Sequence, residues 1–418
     1  MKNKIRKINE QIIEIDKIKS FSVIGDPGCD GLGAEIMATF SKALIESTGD
    51  FIIVLGDIVP FGSRNFYENI IEFIESIVNK PVYMLCGNHD TQYYDEYFGK
   101  RDYALVDDKT LIIILDNSKR YFSKESIDLL SYALESYSRP NIVLMMHIPP
   151  PNLKSSNSIN GNEWNKVQEK IRMYNATDKI KYLVCGHLHS YFEEDFARIK
   201  LVVTGGGGAR IEEIPGIHSS YNHFVEFSLD DNNSLKHEKK DISFTAQDYN
   251  DSAIYEMLEN SFKNECIAHV RYMLYAEDAH KRGLYKLARL FRATSDAEFH
   301  HARNHYYAMA KVKEPMQAVV ESLEKENYEI ETMYREYIDY SREKRIGLPQ
   351  YAFTDAYEAE KVHYNLFKKA ESDLREGKDI FDSDYYTCTS CGYTFSGDTC
   401  PKVCPICGAP EDKIKDVQ

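Results

Sequence analysis

The sequence predicts three successive fold classes in one chain: an α/β domain, an all-α four-helix bundle and a small metal-bound module. Three observations predict them. Seven short apolar runs separated by polar helical stretches occupy residues 20 to about 230, and long amphipathic stretches with almost no Gly or Pro occupy 252 to about 379. Two Cys-x-x-Cys pairs then fall within the last 35 residues, a metal-ligand spacing. A length of 418 residues is too much for one ordinary core and matches two or three domains. The chain is 43% hydrophobic and 28% charged, and its formal charge of -15 argues against nucleic acid or an anionic membrane as the main partner. The opening "MKNKIRKINEQIIEIDKIKS" interrupts its isoleucines with charges, so no signal peptide and no membrane span is expected, and the cytoplasm is the expected compartment.

The α/β runs are "FSVIG", "DFIIVLG", "KPVYMLCG", "KTLIIILD", "NIVLMMH", "KYLVCGH" and "KLVVTGGGG". Five of them end on possible metal ligands: Asp26, Asp57, Asn88 with His89, His147, and His187 with His189. Ligands in open α/β sheets bind beyond the carboxyl ends of the strands. Carboxylate oxygen and neutral imidazole together suit two divalent ions, which can share a bridging carboxylate and activate a water toward phosphorus. The run "TGGGGAR", 204 to 210, lacks the Lys-Ser/Thr of a phosphate-binding loop and reads as a turn that lets backbone approach the cleft.

The ordered blocks "GDPG", "GDIVPFG", "GNHD", "MMHIPP" and "GHLH" resemble those of calcineurin-like metallophosphoesterases, over roughly residues 20 to 230. The resemblance implies an α/β sandwich holding two divalent metals (Fe, Mn or Zn) and a small phosphoester substrate. Asp57 would bridge the metals, Asn88, His147 and His187 would complete one site, and Asp26 with His189 would serve the other. His89, pinned by Asp90, would protonate the leaving oxygen. The chain departs from the family at Gly28, where most members have a histidine, and its "GDxG" block is similar to that of purple acid phosphatases. In that branch a tyrosine three residues after the bridging Asp supplies the ligand, and here Pro60 stands in its place. The first metal is one protein ligand short by either template, with Cys29, Asp30 or water left to complete it.

Polar, turn-rich text over 236–251 reads as a linker between a first domain, 1–235, and a helical domain, 252–383. In the helical domain Glu265 is followed 33 residues later by Glu298-x-x-His301, and Glu326 is followed 34 residues later by Glu360-x-x-His363. Residues i and i+3 share a helix face. A Glu from each of two helices plus Glu-x-x-His from each of two others is the ligand set of ferritin-like di-iron bundles. The words "NECIAHVRY", "DAEFHHARNH", "ENYEIETMY" and "EAEKVHYNLF" resemble rubrerythrin. That resemblance implies bridging by Glu298 and Glu360, terminal ligation by Glu265 and Glu326, a ligand role for His363, and an iron that shifts between Glu329 and His301 with redox state.

In the tail, 384–418, Cys388, Cys391, Cys404 and Cys407 form two pairs with twelve residues between them, suited to tetrahedral iron or zinc. Cys400 breaks the spacing and stands outside the set. The words "CGY" and "CPICG" are similar to the rubredoxin-like β module at the end of rubrerythrins, which implies one iron and electron transfer. Together the resemblances imply a fusion of phosphoester hydrolysis with reduction of hydrogen peroxide, fed by a reductase or rubredoxin, in a homodimer. Two rivals are a phosphoesterase regulated by peroxide or oxygen, and a peroxidase carrying a non-catalytic phosphoesterase-like domain.

Overall fold

The computed structural model describes residues 4–152, 154–196, 198–217, 221–242, 252–309, 311, 313–380 and 384–417. Contacts divide the chain into two compact units, Met1–Lys311 and Val312–Gln418. In chain order the first unit begins with β1 (Ile12–Glu14), β2 (Ser20–Ile24), α1 (Ala34–Glu46), β3 (Ile52–Val54), α2 (Arg64–Ile77), β4 (Val82–Met84) and α3 (Tyr94–Tyr97). It continues with β5 (Tyr103–Val106), β6 (Thr110–Ile114), α4 (Lys124–Ser136), β7 (Asn141–Met146), α5 (Gly161–Met173), β8 (Ile180–Cys185), β9 (Tyr191–Phe196) and β10 (Ile199–Thr204). β11 (His223–Leu229) and β12 (Leu235–Asp241) complete its sheets.

All seven apolar runs are strands: β2, β3, β4, β6, β7, β8 and β10. They divide between a seven-stranded sheet, ordered β1-β5-β6-β7-β8-β10-β9, and a five-stranded sheet, ordered β12-β11-β2-β3-β4. The runs lack polar alternation because both faces of each sheet are covered. Along β7, Ile142, Leu144 and Met146 join a core with Leu130, Trp164 and Val167 of α4 and α5, while Val143 and Met145 face the other sheet through Phe21, Ile53 and Phe227. On the far side Phe40, Tyr67 and Ile70 of α1 and α2 cover Ile24, Val54 and Met84. The result is a four-layer α/β sandwich. Ser63, Ser123 and Asn160 cap α2, α4 and α5, each side chain accepting a backbone N–H three residues on.

The same unit contains a helical hairpin, α6 (Ser252–Lys281) and α7 (Tyr285–Ala308), turned through three residues with Gly283 at φ +75°. α7 packs on α1, where Tyr307 hydrogen-bonds Glu35. The second unit holds α8 (Pro315–Tyr328), a π-helical turn (Glu329–Met333), α9 (Tyr334–Glu343) and α10 (Gly347–Arg375), followed by a three-stranded sheet of β13 (Tyr385–Cys388), β14 (Thr394–Ser396) and β15 (Ile414–Val417). The four predicted helices are therefore four rods, the third continuing through a π turn.

One expectation changes. The predicted linker began at 236, but β12 runs to Asp241 in full antiparallel register with β11, so 236–241 belong to the sheet. The rest of that linker beyond Ile242, and the boundary at 381–383, lie outside the described residues. Among the described residues no helix is long and apolar enough to cross a membrane.

Candidate metal centres

The residues at the strand ends converge from both sheets. Asp26, Asp57, Asn88 and His89 follow β2, β3 and β4 of one sheet, and His147, His187 and His189 follow β7 and β8 of the other. Asp26, Asp57 and His187 have φ of 53°, 51° and 67°, the left-handed region that non-glycine residues seldom occupy. Such conformations concentrate at functional sites because a sharp reversal must bring the side chain back over the strand end.

Two donor clusters form there: Asp57 with His147 and His187, and Asp57 with Cys29 and His189, the donor atoms of each lying within 4.8 Å of one another. Asp57 is common to both. His147 Nδ1–H donates to the Leu55 carbonyl at 2.8 Å, which leaves Nε2 as the ligand nitrogen, 3.0 Å from Asn88 Oδ1 and 3.3 Å from Asp57 Oδ2. His187 Nε2–H donates to Asn157 Oδ1 at 3.0 Å, turning Nδ1 free. Asp26 is fully buried, accepts the His187 N–H, and lies 3.9 Å from His189 Nε2.

The electrostatics fit a cation. Asp26, Asp57 and Asp90 are all at most 1% exposed, and three carboxylates so close cannot all ionise without one. Burial and Asp57 push Asp90 up to about 7, burial raises Asp26, and the charge of His147 overcomes desolvation to hold Asp57 low. Burial opposes charging of His147, yet Asp57 lifts it to about 10, while burial and His147 bring His187 down to about 3.

Asp90 does not pin His89. Its carboxylate accepts the backbone N–H groups of Ile58, Val59 and Gly87, stapling the β3 loop to the β4 loop. His89 is oriented instead by donation from Nδ1–H to the Pro60 carbonyl at 2.7 Å, which leaves Nε2 4.0 Å from Asp57 Oδ2. Pro60, noted in the sequence as a missing ligand, thus positions His89 through its backbone. Sequence reasoning missed Arg120, whose Nη2 lies 2.8 Å from Asn157 Oδ1 and 3.3 Å from His187 Nε2. It comes from the loop after β6, with no motif around it.

In the first unit's hairpin, Glu265, Glu298 and His301 cluster, with His301 Nδ1 2.9 Å from Glu298 Oε2. In the second unit Glu326, Glu360 and His363 do the same, with His363 Nδ1 2.6 Å from Glu360 Oε2. Glu326 Oε2 is buried without a hydrogen-bond partner, and burial with the neighbouring Glu360 raises that carboxyl to about 7, as expected of a ligand shaped for a cation. Glu329 opens the π turn and meets Lys325 Nζ at 3.0 Å; π turns recur at functional sites. His363 Nε2 lies 2.9 Å from Thr394 Oγ1 of β14.

Cys388, Cys391, Cys404 and Cys407 converge, with Sγ–Sγ separations of 3.6 Å for Cys388–Cys407 and Cys391–Cys404. A tetrahedron with bonds of about 2.3 Å has edges of about 3.8 Å, so these thiols are spaced for a metal. Cys400 stays outside the cluster.

Family profiles agree with this order of centres. One described as Calcineurin-like phosphoesterase matches residues 20–191, Rubrerythrin matches 256–371, and Rubrerythrin, rubredoxin-like domain matches 386–415. Rubrerythrin-2 of Clostridium acetobutylicum is 30% identical over 177 residues, covering 38% of this chain and 94% of that protein. Nigerythrin of Nitratidesulfovibrio vulgaris is 31% identical over 172 residues, covering 38% and 83%. A probable cyclic nucleotide phosphodiesterase of Colwellia psychrerythraea is 26% identical over 179 residues, covering 38% and 65%.

Proposed function

We propose two metal-dependent reactions for a chain that belongs to the rubrerythrin family and carries a calcineurin-like phosphoesterase domain ahead of it: hydrolysis of a small phosphoester, and reduction of hydrogen peroxide to water. The observation that carries the first is Asp57, shared by two donor clusters where two sheets meet. Two divalent metals there supply Lewis acidity and an activated water. Asp57, Asn88, His147 and His187 would hold one, and Asp26, Asp57 and His189 the other. His89, fixed through Nδ1 by Pro60, presents Nε2 to protonate the leaving oxygen. Arg120 offers a guanidinium to the anionic substrate beside His187. Similarity to a probable cyclic nucleotide phosphodiesterase makes a cyclic nucleotide the first substrate to assay. Metal-replete protein that turns over neither cyclic nucleotides nor generic mono- and diesters, yet binds a nucleotide, would instead favour a non-catalytic domain.

In the second reaction one peroxide, two electrons and two protons give two waters. Cys388, Cys391, Cys404 and Cys407 would hold an iron open to reduction by a reductase or rubredoxin, and the Glu and Glu-x-x-His residues would hold a di-iron pair that supplies the redox chemistry. Thr394, three residues after Cys391, ties that module to the ligand His363. Peroxide consumption with NADH and a reductase, abolished by Glu360→Ala, tests this.

The helices also support the dimer. The two ligand sets, Glu265 with Glu298 and His301, and Glu326 with Glu360 and His363, lie in separate units. In a dimer that exchanges helices, α8 to α10 of one copy would close on α6–α7 of a second, and each di-iron centre would take half its ligands from each chain. Ile267, Val270 and Leu274 of α6 and Leu290 of α7, all about half-exposed, are the apolar surface this arrangement covers.

A second reading, a redox-regulated phosphoesterase, is favoured by the packing of α7 on α1 within one unit. Equal hydrolysis rates for reduced and oxidised protein of the same metal content would sink it.

A further inference from the structure

The first metal of the phosphoesterase cleft is one ligand short by the family's pattern, and the local backbone explains why. A Cβ at Gly28 would lie 2.0 Å from the Ile58 carbonyl oxygen, and the Gly28 N–H is already donated to the Asp57 carbonyl at 2.9 Å. No side chain fits at 28, so the family's histidine is sterically excluded there. Pro60 has no donor side chain, and its carbonyl is engaged by His89. Asp30 is exposed, and its Oδ2 accepts the Arg210 N–H at 2.8 Å.

Cys29 remains. The loop 25–30 is gripped on its other side by the glycine run, where Gly207 N–H donates to the Gly25 carbonyl and Ala209 N–H to the Asp26 carbonyl. So held, Cys29 is 8% exposed and directs Sγ to 3.2 Å from His189 Nε2, in the cluster that Asp57 completes. A sulfur and an imidazole nitrogen sharing a tetrahedral metal at about 2.3 and 2.05 Å would be about 3.6 Å apart, close to this separation. The other buried cysteines of this domain, Cys86 and Cys185, sit in apolar cores instead.

We propose that Cys29 is a thiolate ligand of the first metal, completing a set of Asp26, Cys29, Asp57 and His189. The inference rests on reading the cleft as a dinuclear metal site. A thiolate shifts the preference of that position toward zinc, iron or cobalt and away from magnesium and manganese. Chain position 29 thereby does the work that position 28 does elsewhere in the family, because the close approach of the β3 loop leaves room for a side chain only one residue later.

The test uses the full chain with its four-cysteine site already filled with zinc, titrated with Co²⁺ and read by sulfur-to-cobalt charge-transfer absorption. Wild type should gain the band of a single thiolate. Cys29→Ser, nearly isosteric, should lose the band and bind cobalt at this position at least tenfold more weakly. Cys29→His should lack the band and restore affinity to within a few fold. A Cys29→Ser protein with unchanged band and affinity overturns the proposal. No band in wild type, while Asp57→Asn abolishes cobalt binding in the cleft, refutes Cys29 alone; a band that survives Asp57→Asn refutes the reading of the cleft as well.

Discussion

Two defective chains should repair each other. Glu298→Ala removes a carboxylate from the α7 half of the proposed di-iron ligand set and Glu360→Ala removes one from the α10 half. If each centre draws one half from each copy, a heterodimer of the two variants contains one centre with both substitutions and one with neither. Each homodimer has two broken centres. With random pairing half of the dimers are mixed, so co-expressed variants should show about a quarter of wild-type peroxide consumption per chain, against essentially none for either variant alone. The assay is NADH-linked peroxide consumption on the co-purified dimer, alongside iron content, which should recover in the same proportion. A mixture no more active than its separate components would mean that every chain builds its own centre, and would overturn the exchanged dimer.

Asp90→Ala should leave three backbone N–H groups without their acceptor, costing about 3 kcal/mol of stability by urea titration. His89→Ala should leave that stability nearly unchanged and lower phosphoester kcat by about 10² to 10⁴. His223, buried and held by burial at about 4 against an ordinary 6.5, is neutral when folded. Its contribution is present above pH 6.5 and lost as pH falls toward 4, because the unfolded chain takes up the proton; the loss approaches about 3 kcal/mol. His223→Phe should flatten that part of the stability-pH curve measured by denaturant unfolding. Thr394→Val removes the hydroxyl that meets His363 Nε2 and should slow reduction of the di-iron centre in stopped flow while leaving the absorption of the four-cysteine iron unchanged; an unaltered rate would remove Thr394 from the electron route.

The strands that build the cleft were legible because they are covered on both faces and so read as unbroken apolar runs. β12 was not, since "LKHEKKD" is the edge of its sheet, and a charged edge that resists further pairing looks like a linker. β9, "YFEEDF", is likewise an edge strand with acids along it. Glu298 with His301, and Glu360 with His363, were legible as same-face pairs because i and i+3 geometry is local, whereas the approach of Glu265 and Glu326 from other helices is not. The π turn at Glu329 has no such local signature. Nor do the roles of Asp90 and Pro60, which depend on a carboxylate and a carbonyl reaching across loops some thirty residues apart. Cys29 stands in the sequence beside Asp30 and water as a way to complete the first site, and neither the crowding at Gly28 nor the hold of the Arg210 N–H on Asp30 is written in the local sequence.

Helix α1 begins at Ala34, five residues after Cys29, and its Glu35 meets Tyr307 near the end of the helix that carries Glu298 and His301. One helix thus borders both proposed sites, and its position is a variable they would hold in common. Coupling between sites that share such a variable is reciprocal: whatever factor iron reduction applies to phosphoester affinity, phosphoester binding must apply to the reduction equilibrium of the iron. A potentiometric titration with and without inorganic phosphate, and phosphate binding to the reduced and oxidised forms, are therefore two measurements of a single number.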